Sequence, residues 1–461
     1  MRKAIAVLML LVCWQPVLKA QQATDWLEGK WWLGVIEEAM LPINITFDRE
    51  EGQLRALLYS PMQSDGAMVA TKWSFENDTL RINQKNLGVR ITLKWNPKDS
   101  TFTGEFKQQM MRSGLSMTPT SGLFVVVRPQ TPQRPFPYRE EEVKVEYGDV
   151  TLTGTLTLPE GEGPWPAVVL VSGSGQQNRD EELMGHKPFL VLSDYLTRHG
   201  IAVMRYDDRG VGGSKGEVAK ATTLDFADDA EAMFNYLRKH KGIDKKRVGI
   251  IGHSEGGMIA PIVAARNRKV SFVVTLGGPG MTGAEVLLQQ IRRIMELDGV
   301  PERLINLRIE TTQEIFEVMD TMPTVDYMKR ITEICAEKSK GLTAEESKLA
   351  GLRKQDAMQI AMQMQSPWMQ TFINLDNGVY LRKTRCRILA INGEKDCQVL
   401  PCNLEAIGKV TEGRAEMRLM PDLNHLMQHC ETGSPTEYMT IEETMAVEVM
   451  EEIVRFVRKG K

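Results

Sequence analysis

The chain has 461 residues, of which 42% are hydrophobic and 25% are charged, and its formal net charge is −3. This composition is typical of a globular protein that is long enough for two or three domains. The near-balanced charge, without a block of Lys or Arg, excludes the strongly basic surface typical of proteins that bind nucleic acids or anionic membranes.

The first twenty residues have the order of a secretory signal. Arg2 and Lys3 precede an apolar stretch that is too short for a comfortable membrane span, and polar residues follow Ala20. We therefore expect residues 1–20 to be a signal peptide that is cleaved near Ala20, which makes the mature chain secreted or periplasmic. Because no other run of about twenty apolar residues occurs, the sequence predicts no membrane span in the mature chain.

Residues 21–128 predict a small all-β domain. Short alternating runs such as LPINITFD and RITLKWNP are separated by Asp, Asn, Gly and Pro, which is typical of a β-meander. A barrel or sandwich-like closure is expected because it hides the strand edges. Four prolines within residues 129–141 then indicate a stiff, extended linker.

Residues 142–461 predict an α/β domain. Continuous apolar runs, among them WPAVVLVSG, RVGIIG and SFVVTLGG, alternate with amphipathic helical segments. This alternation indicates a doubly wound, mostly parallel sheet, which opens on an antiparallel pair of strands.

Residues 281–380 interrupt that alternation with helical, Met-rich sequence, which we interpret as an inserted helical cap. Its methionines either line an apolar acyl pocket, because Met adapts to varied shapes, or pack the helices together, which is the commoner role. The residues concerned are Met358, Met362, Met364 and Met369.

The sequence GHSEGG at residues 252–257 fits the pattern G-x-S-x-G. Composition alone would produce that pattern in about one chain in seven, so its context carries the argument. A buried strand precedes it and a helix follows, which places Ser254 at a sharp turn with its hydroxyl above the sheet. Neither of the glycine patterns that bind phosphate, G-x-x-x-x-G-K-[ST] and G-x-G-x-x-G, occurs here or in residues 209–216. We interpret the glycine-rich residues 209–216 as a structural loop.

A serine nucleophile needs a base and an orienting acid, which on such a sheet follow it in the order acid, then histidine. His425 lies in the loop PDLNHL just after the strand AEMRLM and is favoured over His429. Asp396 follows the strand RILAING and lies further into its loop than the alternative acid, Glu394. The sequence therefore predicts Ser254, His425 and Asp396 as a catalytic triad.

An oxyanion formed at the reacting carbon also requires hydrogen-bond donors. One expected donor is the backbone N–H of Glu255, which directly follows the nucleophile. The other is expected in the loop SGSGQQ after the strand WPAVVLV, at Ser174 with Gly175 next to it. The alternative interpretation of that loop is a flexible turn without a catalytic role.

Five motifs taken together, SGSGQQNRDE, DDRGVGGS, GHSEGG, INGEKD and LNHL, resemble the α/β-hydrolase superfamily. They are most similar to its secreted bacterial carboxylesterase branch, close to the serine-aminopeptidase-like hydrolases. The resemblance covers about residues 142–461 and implies the same triad. The N-terminal β-domain is similar to modules that precede hydrolases in secreted bacterial proteins. Pro261 is a departure, because it should kink or shorten the helix after the nucleophile.

The cysteines beyond the signal segment are odd in number, so at least one is unpaired within the chain. A disulfide is possible outside the cytoplasm, and three of the cysteines flank the predicted acid and base, where a bridge is plausible. A zinc site is disfavoured because no C-x-x-C pair occurs. The five residues are Cys335, Cys386, Cys397, Cys402 and Cys430.

These features predict a serine hydrolase that cleaves small-molecule carboxylic esters through an acyl-enzyme, without a metal or an organic cofactor. One alternative is a serine peptidase of the aminopeptidase type that uses the same triad. The other is a non-catalytic binding protein on a hydrolase scaffold. The acyl and alcohol specificity and the oligomeric state do not follow from the sequence.

Overall fold

The structure of the protein is a computed structural model that describes residues 24–36, 41–62, 66–108 and 111–459. The predicted signal segment, residues 1–20, lies outside these ranges, so its cleavage stays a prediction. The chain divides into two compact units between Val127 and Arg128, with Leu183–Gly185 grouped with the first unit. Among the residues described, no helix combines the length and apolar character needed to cross a bilayer.

The first unit is built from antiparallel strands. In the part of the chain that the structure describes, these are β1 (Trp31–Ile36), β2 (Leu41–Glu50), β3 (Gln53–Tyr59), β4 (Met68–Val69), β5 (Lys72–Glu76), β6 (Thr79–Gln84), β7 (Val89–Asn96), β8 (Thr101–Gln108) and β9 (Met111–Thr120). They form one sheet in the order β4-β3-β2-β1-β9-β8-β7-β6-β5.

The two edges of this sheet are joined by the segment between β4 and β5. Ala70 donates its N–H to the carbonyl of Ala56 in β3 at 2.9 Å, and Thr71 donates to Asn83 in β6 at 2.8 Å. The sheet therefore curls until its edges meet, which confirms the predicted small all-β domain with barrel-like closure.

Aromatic side chains fill the interior of the first unit around Trp32, which is 1% exposed. Trp26, Phe47, Trp95 and Phe102 all pack edge-on to Trp32, with ring centroids 5.2–6.2 Å from it. Such edge-to-face contacts stabilise a core beyond the area that they bury.

The second unit contains a mixed sheet. Its strands are β10 (Arg139–Tyr147), β11 (Val150–Leu158), β12 (Trp165–Val171), β13 (Ala202–Tyr206), β14 (Ile243–His253), β15 (Phe272–Leu276), β16 (Arg387–Gly393) and β17 (Ala415–Met420). They lie in the order β10-β11-β13-β12-β14-β15-β16-β17, and the pairs from β13 to β17 are parallel. This arrangement confirms the predicted antiparallel opening and the mostly parallel sheet.

Helices cover both faces of this sheet and extend above it. They are α1 (Pro188–Arg198), α2 (Thr223–Leu237), α3 (Gly256–Arg266), α4 (Gly283–Leu297), α5 (Glu302–Thr321), α6 (Tyr327–Lys338), α7 (Ala344–Leu349), α8 (Lys354–Met364), α9 (Pro367–Asn374), α10 (Asn377–Lys383), α11 (Cys402–Val410) and α12 (Val447–Arg458).

The central strand β12 is buried along its whole length, so its residues alternate between two apolar cores. Val168 and Leu170 pack with residues of α1 and α12, whereas Val169 and Val171 pack with residues of α2 and α3. This is the doubly wound arrangement that continuous apolar strands predict.

The helices α4 to α9 lie between β15 and β16 in the chain and form the cap. The following helix, α10, packs against α3 and so belongs to the layer that covers the sheet. The four methionines expected in the cap have different environments: Met364 and Met369 are buried, whereas Met362 is 56% exposed.

Helix α3 continues through Pro261 to Arg266, so the expectation that this proline shortens the helix is wrong. A proline removes the N–H that would bond the carbonyl four residues earlier, which is that of Gly257. The buried side chain of Asn377 donates to this carbonyl from Nδ2 at 3.3 Å. A hydrogen bond from α10 thus replaces the one that Pro261 cannot make.

A buried ion pair joins α2 to the loop after β13. Arg209 donates to Asp229 from Nε at 2.7 Å and from Nη2 at 3.0 Å, and the Tyr147 hydroxyl donates to the same carboxylate. The side chains of Arg209 and Asp229 are 8% and 3% exposed. Burial of both charges makes the loss of either partner costly.

We expect Asp229→Ala to lower the free energy of unfolding by about 3–5 kcal/mol, because it leaves Arg209 buried without its partner. The matched control is Asp228→Ala on the same helix, whose carboxylate is 54% exposed and pairs with Arg266. Its loss should cost no more than about 1 kcal/mol. Urea denaturation followed by circular dichroism measures both, and equal losses would contradict the buried ion pair's role.

Candidate active site

The predicted catalytic residues lie at one edge of the second unit's sheet. Ser254 directly follows β14, Asp396 follows β16, and His425 follows β17. These strands are neighbours or near neighbours in a parallel sheet, so their carboxyl ends lie together. The fold therefore brings together side chains that are separated by up to 171 positions in the chain.

The turn at Ser254 is tightly constrained. Ser254 has a φ of 51°, in the left-handed region of backbone conformation that residues other than glycine rarely adopt. A Cβ atom at Gly252 would lie 1.9 Å from the carbonyl oxygen of Gly256, so no side chain fits there. Ser254 is partly exposed while the residues on either side of it are buried, which presents its hydroxyl at the surface of the site.

Asp396 and His425 are in direct contact. His425 Nδ1 lies 2.8 Å from Asp396 Oδ2, and the other carboxylate oxygen accepts the N–H groups of Gln398 and Val399 at 2.9 and 2.8 Å. Both side chains are buried, at 2% and 3% exposed. Because Nδ1 faces the carboxylate, Nε2 is the ring nitrogen left to exchange a proton with a nucleophile.

The contact to Ser254 differs from the prediction in one detail. Among the described residues, no hydrogen bond joins the Ser254 hydroxyl to His425. Catalytic hydrogen bonds are often long in the absence of substrate and shorten when it binds. The structure thus places Ser254 at the same edge as the Asp396–His425 pair without linking the three.

The two alternative residues occupy different surroundings. Glu394 is exposed, whereas Asp396 is buried. His429 has a half-exposed side chain that contacts Glu443 at 2.9 Å and Glu448 at 3.0 Å. Neither alternative contacts the predicted acid or base.

Sequence reasoning missed a buried pair that lies beneath the site. His253 Nδ1 is 2.9 Å from Glu181 Oε1, and His253 Nε2 is 3.0 Å from the carbonyl oxygen of His425. Both ring nitrogens therefore face acceptors. Burial opposes a charge on this ring, but the Glu181 carboxylate outweighs that effect and raises the pKa of His253. The pair connects the nucleophile's strand to the loop that carries the base.

The loop after β12 is fixed next to Ser254 by two carboxylates. The Gly173 N–H donates to Glu181 at 2.7 Å, and Asp208 accepts the N–H of Gln177 at 2.9 Å. Burial raises the pKa of Asp208 to about 7. A Cβ at Gly173 would lie 3.0 Å from the Cβ of Ser254, so this loop closely approaches the nucleophile.

The predicted oxyanion donors lie on two segments beside Ser254. Glu255 precedes the first turn of α3, and Ser174 and Gly175 belong to the loop after β12. Within the described ranges, the N–H groups of Glu255 and Ser174 have no protein acceptor. The geometry is compatible with the predicted role, which stays a prediction for all three residues.

The side chain of Glu255 has a structural role that the sequence did not indicate. Its buried carboxylate accepts from the Thr223 hydroxyl at 2.6 Å and the Trp368 indole at 2.8 Å, and the Ser174 hydroxyl acts on its pKa from the loop after β12. Burial raises the pKa of Glu255. This one carboxyl group links the nucleophile's turn to cap helix α9 and to the loop after β12.

The disulfide that is plausible near the site does not occur in the structure, which carries Cys335, Cys386, Cys397, Cys402 and Cys430 as free thiols. Cys397 Sγ donates to the carbonyl of Gly433 at 3.0 Å, and Cys430 Sγ lies 3.3 Å from the carbonyl of Asp422. Cys402 contacts Gln289 of the cap. Each sulfur near the site therefore has its own partner.

The chain is similar in sequence to known hydrolases. Residues 187–340 match the family model for serine aminopeptidase, S33, a range that includes Ser254 and ends before Asp396. The chain is 28% identical over 377 residues to the esterase EstD of Thermotoga maritima, which covers 81% of this chain and 77% of that protein.

Similar solved structures include an esterase of Pyrococcus furiosus, with 15% identity and a TM-score of 0.43 over 74% of this chain and 99% of the other. A hypothetical protein of Pseudomonas aeruginosa has 17% identity and a TM-score of 0.45 over the same shares of the two chains.

We expect Gly252→Ala to abolish folding of the turn at Ser254, because the added methyl group would overlap the backbone of Gly256. Gly122→Ala is the matched control, since a Cβ there meets no atom within 4 Å. Thermal unfolding should show a large loss for Gly252→Ala and little change for Gly122→Ala. A stable Gly252→Ala chain would show that the turn tolerates a side chain.

The stability of the protein should depend on pH through His253. The pKa of His253 in the folded protein is raised above its ordinary value of 6.5. Its contribution to the free energy of unfolding is therefore complete below pH 6.5 and is lost as the pH rises through the pKa of the folded protein. His253→Gln should therefore lower the melting temperature more at pH 6 than at pH 9. Glu181→Gln should reduce the same pH dependence, and an unchanged pH slope in both variants would contradict the charged pair.

Proposed function

We propose that the chain is a serine hydrolase of the α/β-hydrolase superfamily that cleaves carboxylic esters. The observation that carries the proposal is the position of Ser254, with its φ of 51°, at the sheet edge that also holds the Asp396–His425 contact of 2.8 Å. A strained turn that exposes a serine beside a carboxylate–imidazole pair is the arrangement that acyl transfer requires. The similarity to an esterase of Thermotoga maritima supports an ester as the substrate.

The reaction proceeds in two steps in this proposal. Ser254 Oγ attacks the ester carbonyl carbon while His425 Nε2 takes its proton, and the carbonyl π electrons move onto oxygen to form a tetrahedral oxyanion. The oxyanion collapses, the bond to the alcohol oxygen breaks, and His425 gives its proton to the leaving alcohol. Water then attacks the acyl-enzyme with His425 again as base, and the carboxylic acid is released.

The other residues position these groups. Asp396 orients the His425 ring and stabilises its charged form, and its own second oxygen is fixed by two backbone N–H groups. The N–H groups of Glu255 and Ser174, with Gly175 next to them, are proposed to donate to the oxyanion, where one donor is worth about 3 kcal/mol.

The surroundings of Glu255 favour an ester over a peptide with a free amino terminus. An aminopeptidase needs an acidic group that binds the substrate's ammonium, and Glu255 is the acid nearest in sequence to the nucleophile. Its carboxylate is 2% exposed and already accepts hydrogen bonds from Thr223 and Trp368, so it is not accessible to such a group. The match to the serine aminopeptidase model keeps peptide cleavage as the second candidate function.

Hydrolysis of p-nitrophenyl esters from acetate to octanoate tests the proposal. Ser254→Ala should lower kcat by a factor on the order of 10⁴–10⁶, because the nucleophile is lost, and Asp396→Asn by about 10⁴. Ser271→Ala is the matched control, since this serine lies just before β15, at the opposite end of the strand from the site. Its activity should match that of the unaltered chain.

The outcomes separate the alternatives. Ester hydrolysis that survives Ser254→Ala would refute the nucleophile. Higher kcat/KM for aminoacyl p-nitroanilides than for esters, lost in Ser254→Ala, would identify a peptidase with the same site. A chain that hydrolyses neither class while it remains folded would favour the binding protein.

A further inference from the structure

The cap of the second unit contains a cavity that lies apart from the Ser254 site. Its volume is about 410 Å³, within the range of about 300–1,000 Å³ that is usual for small-molecule pockets. The described triad and oxyanion-loop residues do not line it. Most of its lining is apolar, and includes Leu287, Ile291, Ile294, Ile315, Phe316 and Met364.

Arg308 of helix α5 brings a positive charge to this apolar lining. Its Nη1 donates to the carbonyl of Gly351 at 2.9 Å. Among the described residues, no carboxylate lies within 4.0 Å of its guanidinium. The charge of Asp356 acts on Arg308 from a greater distance, and Asp356 pairs with Arg353 instead. Burial lowers the pKa of Arg308, the opposite of what a paired arginine shows.

The other arginines of the cap differ from Arg308 in this respect. Each one that the structure describes forms an ion pair with an acidic side chain, namely Arg292, Arg293, Arg303, Arg330 and Arg353. The absence of a carboxylate partner is therefore particular to the arginine that lines the cavity.

This combination defines the chemistry of a ligand. A guanidinium in apolar surroundings is stabilised when an anion satisfies its free N–H groups, and its planar fork matches a carboxylate with two hydrogen bonds. The apolar lining gains free energy from a hydrocarbon chain, at about 0.8 kcal/mol for each buried CH₂ group. Lys348 also lines the cavity and adds a second positive charge.

We propose that this cavity binds an amphipathic carboxylate, with the carboxylate on Arg308 and the hydrocarbon chain among the apolar side chains of α4, α5 and α8. The proposal is independent of the activity at Ser254. Met369 of α9 lines the cavity, and the preceding residue, Trp368, donates to Glu255, so the two sites lie on either side of this short helix.

Isothermal titration calorimetry of the full chain with sodium octanoate tests the proposal, with 1-octanol as the uncharged probe of equal length. We expect saturable octanoate binding that Arg308→Gln weakens at least tenfold, while binding of 1-octanol changes little. Arg303→Gln is the matched control, because it removes an arginine of the same helix that pairs with Glu346 at the surface. It should bind octanoate as the unaltered chain does.

A second variant protects the test against a folding defect in Arg308→Gln. Ile294→Trp keeps the arginine and fills the cavity, and it should also abolish octanoate binding. Melting temperatures of both variants establish that they are folded. Equal octanoate affinity in Arg308→Gln and the unaltered chain would overturn the proposal, because Arg308 would then not hold the carboxylate. Absence of saturable binding to the unaltered chain would overturn it as well.

Discussion

The left-handed turn at Ser254 is the constraint on which the candidate site depends. A non-glycine residue in this conformation costs about 1–3 kcal/mol and persists only where the surrounding structure holds it. Here the Ser254 N–H donates to Leu276 at the end of β15, at 2.9 Å, and α3 begins immediately afterwards. The glycines at 252 and 256 let the turn approach its own backbone and that of β12 more closely than any side chain would permit.

Carboxylates extend this constraint to the neighbouring segments. The buried Glu181 holds both the Gly173 N–H and His253, the partly buried Asp208 accepts the N–H of Gln177 in the same loop, and the buried Glu255 contacts the cap. An unpaired buried carboxylate would be strongly unfavourable, so each one fixes the groups that donate to it. These carboxylates therefore fix the loops around Ser254 to the sheet and its helices.

The short helix α9 joins the cap to the nucleophile's turn. Trp368 in α9 donates to Glu255, and the adjacent Met369 faces the cavity that Arg308 lines. Two of the four methionines expected in the cap, Met364 and Met369, contribute to that cavity, whereas Met362 is exposed. Two methionines of the Met-rich sequence therefore share a cavity with Arg308, which the packing of α4, α5 and α8 brings to them.

The sequence by itself determined the order of strands and helices, the turn at Ser254, and the acid and base that follow it. These depend on local information: apolar periodicity, glycines at a sharp turn, and polar residues at strand ends. It also favoured Asp396 over Glu394 correctly as the residue that contacts His425. Among the residues described, the structure brings these side chains to one sheet edge without a hydrogen bond between the Ser254 hydroxyl and His425.

Only the tertiary structure decided which charges are paired. Glu181 contacts His253 across 72 positions, Glu255 contacts Trp368 across 113, and Asn377 replaces the hydrogen bond that Pro261 removes. The five described cysteines remain free thiols, and within the part of the chain that the structure describes Arg308 lacks the acidic partner that the other cap arginines have. No local pattern encodes such contacts, because a buried polar group takes its partner from whichever distant segment the packing places within about 3 Å.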